Sequence, residues 1–244
     1  MKKLIFLSTI LISICVFSQQ KTETFYYDIN WKTTDSASAV LMSIHIYSDT
    51  AQGAGLIIDQ TKTGILKSET QYSNIDKAIK DGSEKVYHDN GILKLHANYS
   101  NDKLQGELKT YYENGQLKRK DIFENDEFIS GNCYTKNGAD TTHFPYSIEP
   151  HFPGGEYEMY KFISAKIQYP QMSLEMGNSG TVHVQFVVES DGSISNVTIL
   201  RGVDEMIDRE AMRVVKIMPD WVPGCVDGAV CRARFMIPIT FKIN

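Results

Sequence analysis

One pattern returns along this chain. Thr63-Gly64-Ile65-Leu66-Lys67 followed by Tyr72-Ser73-Asn74 recurs as Asn90-Gly91-Ile92-Leu93-Lys94 followed by Tyr99-Ser100-Asn101, then as Asn114-Gly115-Gln116-Leu117-Lys118, and Asn137-Gly138 begins a truncated fourth copy. The glycines stand 27, 24 and 23 residues apart, a period that means supersecondary units stacked on one another. A second glycine recurs at Gly82, Gly106 and Gly131, with Tyr87 and Tyr111 each five residues after theirs, so each unit is read as carrying two turns. Asn-Gly between runs with Tyr, Leu and Ile at alternate places signals a hairpin whose two central residues both take positive φ. The reading is a meander of hairpins in one twisted antiparallel sheet, clearest over 63–138. The strand-like Phe25-Tyr26-Tyr27 and Ile44-His45-Ile46-Tyr47 start the same sheet and extend the region to 19–140. Gly53-Ala54-Gly55 lacks the third glycine and the strand-turn-helix setting of a dinucleotide site and is read as a turn. The Tyr and Lys rows are read as strand-face packing and solubility.

The periodicity changes after a linker over 141–153, which holds Pro145, Pro150 and Pro153. Met159, Phe162, Ile163 and Ile167 place one apolar face on a helix over Glu156–Ile167, which must end before Tyr169-Pro170. Val182, Val184, Phe186 and Val188 alternate in a half-buried strand, and Ser190-Asp191-Gly192 turns it into a partner strand over Ser193–Leu200. Ile207, Ala211, Val214, Val215 and Met218 line a second helix over Asp204–Met218, stopped by Pro219. The last strand, Arg232–Lys242, sets Ala233, Phe235, Ile237, Ile239 and Phe241 against Arg232, Arg234, Met236, Thr240 and Lys242. Pro238 cannot donate to a ladder, so this strand is expected at an edge or a bulge.

Composition narrows the function. With 25 Lys plus Arg against 30 Asp plus Glu the net charge is −5, and no basic run offers the stripe a nucleic-acid binder needs. Lys2 and Lys3, an apolar run over Leu4–Phe17 and Ser18-Gln19-Gln20 have the order of a secretory signal peptide, expected over 1–18 with cleavage after Ser18. Its core is too short to span a bilayer comfortably; left uncleaved it would anchor the chain in the inner membrane. Ile14 before Cys15 argues against lipidation. Export would put the other cysteines in an oxidising compartment, where a cross-strand disulfide between Cys225 and Cys231 is expected around the intervening turn, leaving Cys133 over. His45, His88, His96, His143, His151 and His183 make no metal-ligand spacing, and no nucleophile elbow, P-loop or S-x-x-K motif is present. No catalytic residue, cofactor or metal is expected, and the chain is read as a non-enzyme.

Two resemblances complete the reading. Tyr111-Tyr112-Glu113-Asn114-Gly115-Gln116-Leu117-Lys118 resembles the MORN-like repeats of exported bacterial proteins, and the likeness covers about 55–140. Such repeats imply an all-β sheet and specify no function. The second half resembles the C-terminal domain of the TonB family. The likeness rests on Pro150-His151-Phe152-Pro153-Gly154-Gly155, Tyr169, Pro170, Gly180-Thr181-Val182, Asp191, Gly192, Ala211, Trp221, Pro223, Gly224 and Pro238-Ile239-Thr240-Phe241-Lys242-Ile243-Asn244. It implies an α+β domain over 154–244, two helices on a small antiparallel sheet. It also implies a periplasmic role: binding the periplasmic peptide of an outer-membrane TonB-dependent transporter by strand addition, in support of energised transport. Arg232, Arg234, Met236, Thr240 and Lys242 are the expected partner-binding edge. If the chain is anchored, inner-membrane proton-channel proteins become partners too. A transducer needs an anchor and a proline-rich spacer, neither of which is plain here. The competing reading is therefore a soluble envelope scaffold or protein-interaction module with no part in transport.

Overall fold

The computed structural model describes residues 21–243 apart from Trp31. The expected signal segment, Cys15 and Asn244 lie outside the described residues. The chain divides between His143 and Phe144 into two compact units.

The first unit is built from β1 (Lys21–Tyr27), β2 (Leu41–Asp49), β3 (Ala54–Thr61), β4 (Leu66–Asn74), β5 (Ile79–Tyr87), β6 (Leu93–Ser100), β7 (Lys103–Leu104), β8 (Gly106–Tyr111), β9 (Leu117–Glu124), β10 (Glu127–Tyr134) and β11 (Asp140–Thr141). They form one antiparallel sheet in chain order, with β7 a side pair of β6.

The turns differ from their sequence reading in an instructive way. Gly64, Gly91, Gly115 and Gly138 have φ of 81–85°, but the residues before them do not have positive φ. Each loop closes identically. The glycine N–H donates to the carbonyl three residues back, as from Gly91 to His88 at 2.9 Å, and that residue's N–H donates to the one after the glycine, as from His88 to Ile92 at 2.8 Å. This is a type I turn ended by a left-handed glycine and a bulge. One pair further along, the first three loops carry a register shift, and the residue it leaves over is the lysine of the motif: Lys67 between the Asp59–Ser68 and Gln60–Leu66 pairs, Lys94 between Val86–Leu95 and Tyr87–Leu93, Lys118 between Thr110–Arg119 and Tyr111–Leu117. The turns with two positive φ values are at the opposite ends of the strands, Asn101-Asp102 at 49° and 70° and Asn125-Asp126 at 53° and 73°. The second glycines are therefore not the turns. Gly82 and Gly131 sit inside β5 and β10, where a Cβ would come within 2.2 Å of Gln71 Oε1 and 2.0 Å of Asp121 Oδ1.

Each copy also hydrogen-bonds to the next. Asn90 Nδ2 donates to Glu113 O at 2.9 Å and Asn114 Nδ2 to Lys136 O at 3.3 Å. At the other ends Lys80 N and Leu104 N donate to Asp102 Oδ1 and Asp126 Oδ1, at 3.0 and 2.7 Å. One face of the sheet is buried, carrying Thr70, Ala97, Leu108, Thr110, Arg119, Asp121 and Cys133. Its buried charges are paired: Arg119 Nη1 donates to Asp121 Oδ2 at 2.6 Å, and His143 Nε2 lies 3.0 Å from Asp121 Oδ1 while its ring stacks on Phe128.

The second unit begins with β12 (Ser147–Ile148) and continues through α1 (Glu156–Lys166), α2 (Gln171–Glu175), β13 (Gly180–Val188), β14 (Ile194–Arg201), α3 (Glu205–Lys216), β15 (Cys225–Val226), β16 (Ala229–Val230) and β17 (Ala233–Phe241). The order β14-β13-β17 makes one sheet and β12-β15-β16 a smaller one. This is the α+β arrangement that the second resemblance implies, with the one-turn α2 added to the two helices expected. Asp204 caps α3, its Oδ1 accepting from Met206 N and Ile207 N at 2.8 and 2.9 Å, an arrangement that offers the orphan amides of the first turn a partner. Val182, Val184, Phe186, Ile207, Ala211, Val214, Val215, Ile237 and Ile239 meet in a core at 0–2% exposure. These are the apolar faces that periodicity marked.

Candidate functional site

β13 is the middle strand, so β14 and β17 each have a side unpaired among the described residues. The two edges are unequal. β14 pairs with β13 through two register shifts, and Asn196 within it has φ of 50°. β17 pairs with β13 over nine successive residues, from Ala233–Val188 to Phe241–Gly180, without a shift. Pro238 thus lies on an edge and makes no bulge. Because it has no N–H, its unbroken pairing with His183 must be of the non-hydrogen-bonded kind. Alternation then turns the main-chain N–H and C=O groups of Arg234, Met236 and Thr240 to the open side, where Pro238 offers only a carbonyl.

The side chains of that series share the face of the sheet away from the core. Arg234, Met236 and Thr240 are exposed, as are Lys242 just past the strand and Arg201 on β14. Arg232, just before the strand, is held by Glu189 with Nε–Oε2 at 3.0 Å, and Thr240 Oγ1 shares a hydrogen bond with Thr181 Oγ1 at 2.9 Å. A cavity of about 560 Å³ opens on this face beside Gln185, Thr198, Arg232 and Arg234.

A second cavity, about 360 Å³, is lined by residues 235–238 of β17 together with Phe152, Met159, Tyr160 and Trp221. Its far wall is positioned by main-chain hydrogen bonds between His151 and Val222, 3.0 and 2.9 Å in the two directions. Trp221 is its anchor, 3% exposed, with ring centroids 5.0 Å from Phe235, 5.2 Å from Phe186 and 5.9 Å from Phe152. Glu149 and Glu156 add carboxylates to the lining, a feature the sequence did not announce because residues 149, 156 and 221 converge only in the fold.

The motif residues serve this frame. Asp191 Oδ1 accepts from Ser193 N and Oγ at 2.9 and 2.6 Å, bonds that hold its carboxyl below the usual range. Gly192 has φ of 92°, and a Cβ there would lie 2.2 Å from Trp221 O. Its carbonyl accepts from Trp221 N at 2.8 Å. The Asp-Gly turn and the tryptophan are thus one device. Tyr169 packs edge-on against Phe241 at 5.6 Å and its hydroxyl donates to Asn178 O. Pro170 opens α2. Pro223 leads into Gly224, where a Cβ would lie 2.9 Å from Ile148 O and whose carbonyl accepts from Cys231 N at 3.0 Å.

The expected Cys225–Cys231 disulfide is not formed. Cys133, Cys225 and Cys231 are free thiols. The register sets Cys225 opposite Val230, so Cys231, the next residue, falls on the other face of the hairpin by alternation. Among the described residues no group of His, Cys, Asp and Glu is arranged to hold a metal, and no helix is long and apolar enough to cross a membrane.

Residues 165–243 match the family model of the Gram-negative bacterial TonB protein C-terminal domain, and residues 80–101 and 104–125 match that of the MORN repeat variant. The chain carries a TonB-like C-terminal domain behind MORN-like repeats. Among solved structures, two solution structures of the Helicobacter pylori TonB C-terminal domain are similar. The shorter form is 24% identical, with 36% of this chain and 95% of that one covered and a TM-score of 0.28. The longer is 22% identical, with 38% and 87% covered and a TM-score of 0.30. No curated protein matches the chain. The TonB-like domain supports a TonB-like role and an envelope partner in general terms, the role of an interaction module.

Proposed function

We propose that the TonB-like domain binds an extended peptide of an outer-membrane TonB-dependent transporter along β17, in the periplasm, and contributes to energised transport. The observation that carries this reading is the regular open edge of β17 beside the Trp221 cavity, in a domain that matches the TonB family model. Strand addition draws affinity from main-chain hydrogen bonds and selectivity from pockets for alternate side chains. Arg234, Met236 and Thr240 supply the outward main-chain groups, and Arg232, Arg234 and Lys242 supply charge for acidic neighbours of the peptide. Nothing in this mechanism needs a catalytic group, cofactor or metal.

The test is titration of the protein with a synthetic periplasmic peptide of such a transporter, followed by amide NMR. The expected result is shifts concentrated on residues 233–241. Met236→Pro removes an outward N–H while sparing the bonds to β13, and is expected to weaken binding about tenfold. Shifts on β14 alone, or full affinity in Met236→Pro, would overturn strand addition at β17. Absence of binding to any transporter peptide would favour the envelope scaffold. The intact mass of the native protein from fractionated cells tests the route. A chain starting at Gln19 in the periplasmic fraction means a soluble partner-binding protein, whereas a full-length chain in the inner membrane admits proton-channel partners and direct force transmission.

A further inference from the structure

A single line of directly opposed residues crosses the repeat sheet. Glu69 faces Lys85, Lys85 faces His96, His96 faces Lys109, Lys109 faces Lys120, and Lys120 faces Asn132. Residues directly opposed in an antiparallel pair share one face. Lys85, His96, Lys109 and Lys120 therefore stand side by side on the face opposite the buried Thr110, Arg119 and Cys133. Like charges directly opposite one another, as Lys109 and Lys120 are, destabilise a ladder, and this pair sits in a chain whose net charge is −5. Packing does not require it. Two carboxylates answer part of the row's charge: Glu107 bridges Lys109 at 2.5 Å and Lys120 at 2.7 Å, and Glu69 stands opposite Lys85. Burial first, and then Lys85 and Lys109, hold His96 below the ordinary imidazole range, with Glu107 opposing them. Tyr87, Tyr111 and Tyr134 lie two residues beyond Lys85, Lys109 and Asn132 on the same strands, so alternation brings their rings to the same face.

We propose that this row binds an acidic polysaccharide lying across the strands. Adjacent strands are about 4.8 Å apart, a spacing close to the length of one sugar ring, so carboxylates along a uronate chain can meet Lys85, Lys109 and Lys120 in turn, with the uncharged His96 between the first two. The tyrosine rings offer apolar surfaces to the sugar C–H groups. A flat anionic bilayer fits less well. At about 20–25° of twist per strand the row turns through about 60–75° between Lys85 and Lys120, which a flexible polymer can follow and a plane cannot.

The test is calorimetric titration of the full chain with oligogalacturonate. Binding is expected, weakening with added salt as charge screening requires and absent for a neutral oligosaccharide of equal length. The triple variant Lys85→Gln, Lys109→Gln, Lys120→Gln is expected to lose about tenfold or more in affinity. Arginine at the same three positions should retain it, and so should Lys77→Gln with Lys103→Gln, which changes exposed lysines off the row. The proposal is overturned if the unmodified chain does not bind oligogalacturonate, or if the glutamine triple binds as well as it does. It is equally overturned if the arginine triple or the Lys77 and Lys103 variant loses as much, or if polyglutamate or phosphatidylglycerol vesicles are held as tightly.

Discussion

The repeat sheet and the C-terminal domain solve the same burial problem by different means. In the sheet each copy touches only its neighbours, and the same few bonds from Asn90, Asn114, Asp102 and Asp126 are made again at each step. In the domain, helices and strands distant in sequence close on one core around Phe186, Val214 and Trp221. A stack of like units has a stability that is a sum of nearest-neighbour terms, whereas a single core is lost as a whole. Damage should therefore stay local in the first unit and spread through the second.

The largest effect expected is that of Trp221→Ala. Emptying a buried aromatic site costs about 3–5 kcal/mol, a large share of the roughly 5–15 kcal/mol that holds a domain together. Hydrogen exchange should show β13, β14, β17 and α3 losing protection together, with the repeat sheet unchanged. Loss of protection in β4–β9 as well would erase the contrast.

Gly131→Ala should act in the opposite style. Its Cβ would meet the buried Asp121 carboxylate at 2.0 Å, and overpacking of this kind costs about 1–3 kcal/mol. Exchange should rise in β8–β10 and remain as it was in β1–β3. Uniform loss across the sheet would show that the stack melts as one body.

The smallest effect is electrostatic. Hydrogen bonds from Lys109 and then Lys120 pull the Glu107 carboxyl down to about 2 from its ordinary 4.5. A depressed carboxyl stabilises the fold at pH values above its unfolded pKa, and the contribution disappears as pH falls through the folded value. Unmodified protein should therefore exceed Glu107→Gln in sheet stability above about pH 4.5, and the difference should vanish near pH 2. These groups face solvent, so the gap is small. The transition of the C-terminal domain should not change between the two proteins.

The contrast also governs what the sequence discloses. Strand and helix faces in the C-terminal domain were legible because periods of 2 and 3.6 leave a mark on every residue, and Pro238 by itself restricted its strand to an edge or a bulge. The repeats betray a sheet through their spacing, yet the turn with two positive φ values that Asn-Gly suggests is held by Asn101-Asp102 and Asn125-Asp126. Both pairs can adopt it, and the choice rests on hydrogen bonds to the next copy, which no single copy displays. The bulged lysines, the close approach of Gly131 to Asp121 and the short α2 were hidden for the same reason. At the candidate site the edge was foreseeable. The cavity was not, since it joins Phe152, Met159 and Trp221 from three separate stretches, and the free thiols followed from a register one residue away from the pairing expected.

Pro238 has a consequence beyond its place in the ladder. An open strand that can accept a guest can also accept its own twin, and long regular edges are where soluble proteins begin to aggregate. With no N–H at Pro238, the sixth of its nine residues, β17 presents donors on both sides of a gap, and two copies set edge to edge would leave carbonyls of each facing no donor. A guest whose own sequence tolerates that gap is not penalised. The proline thus works as a filter on company, leaving the edge open to the right stranger while discouraging self-association.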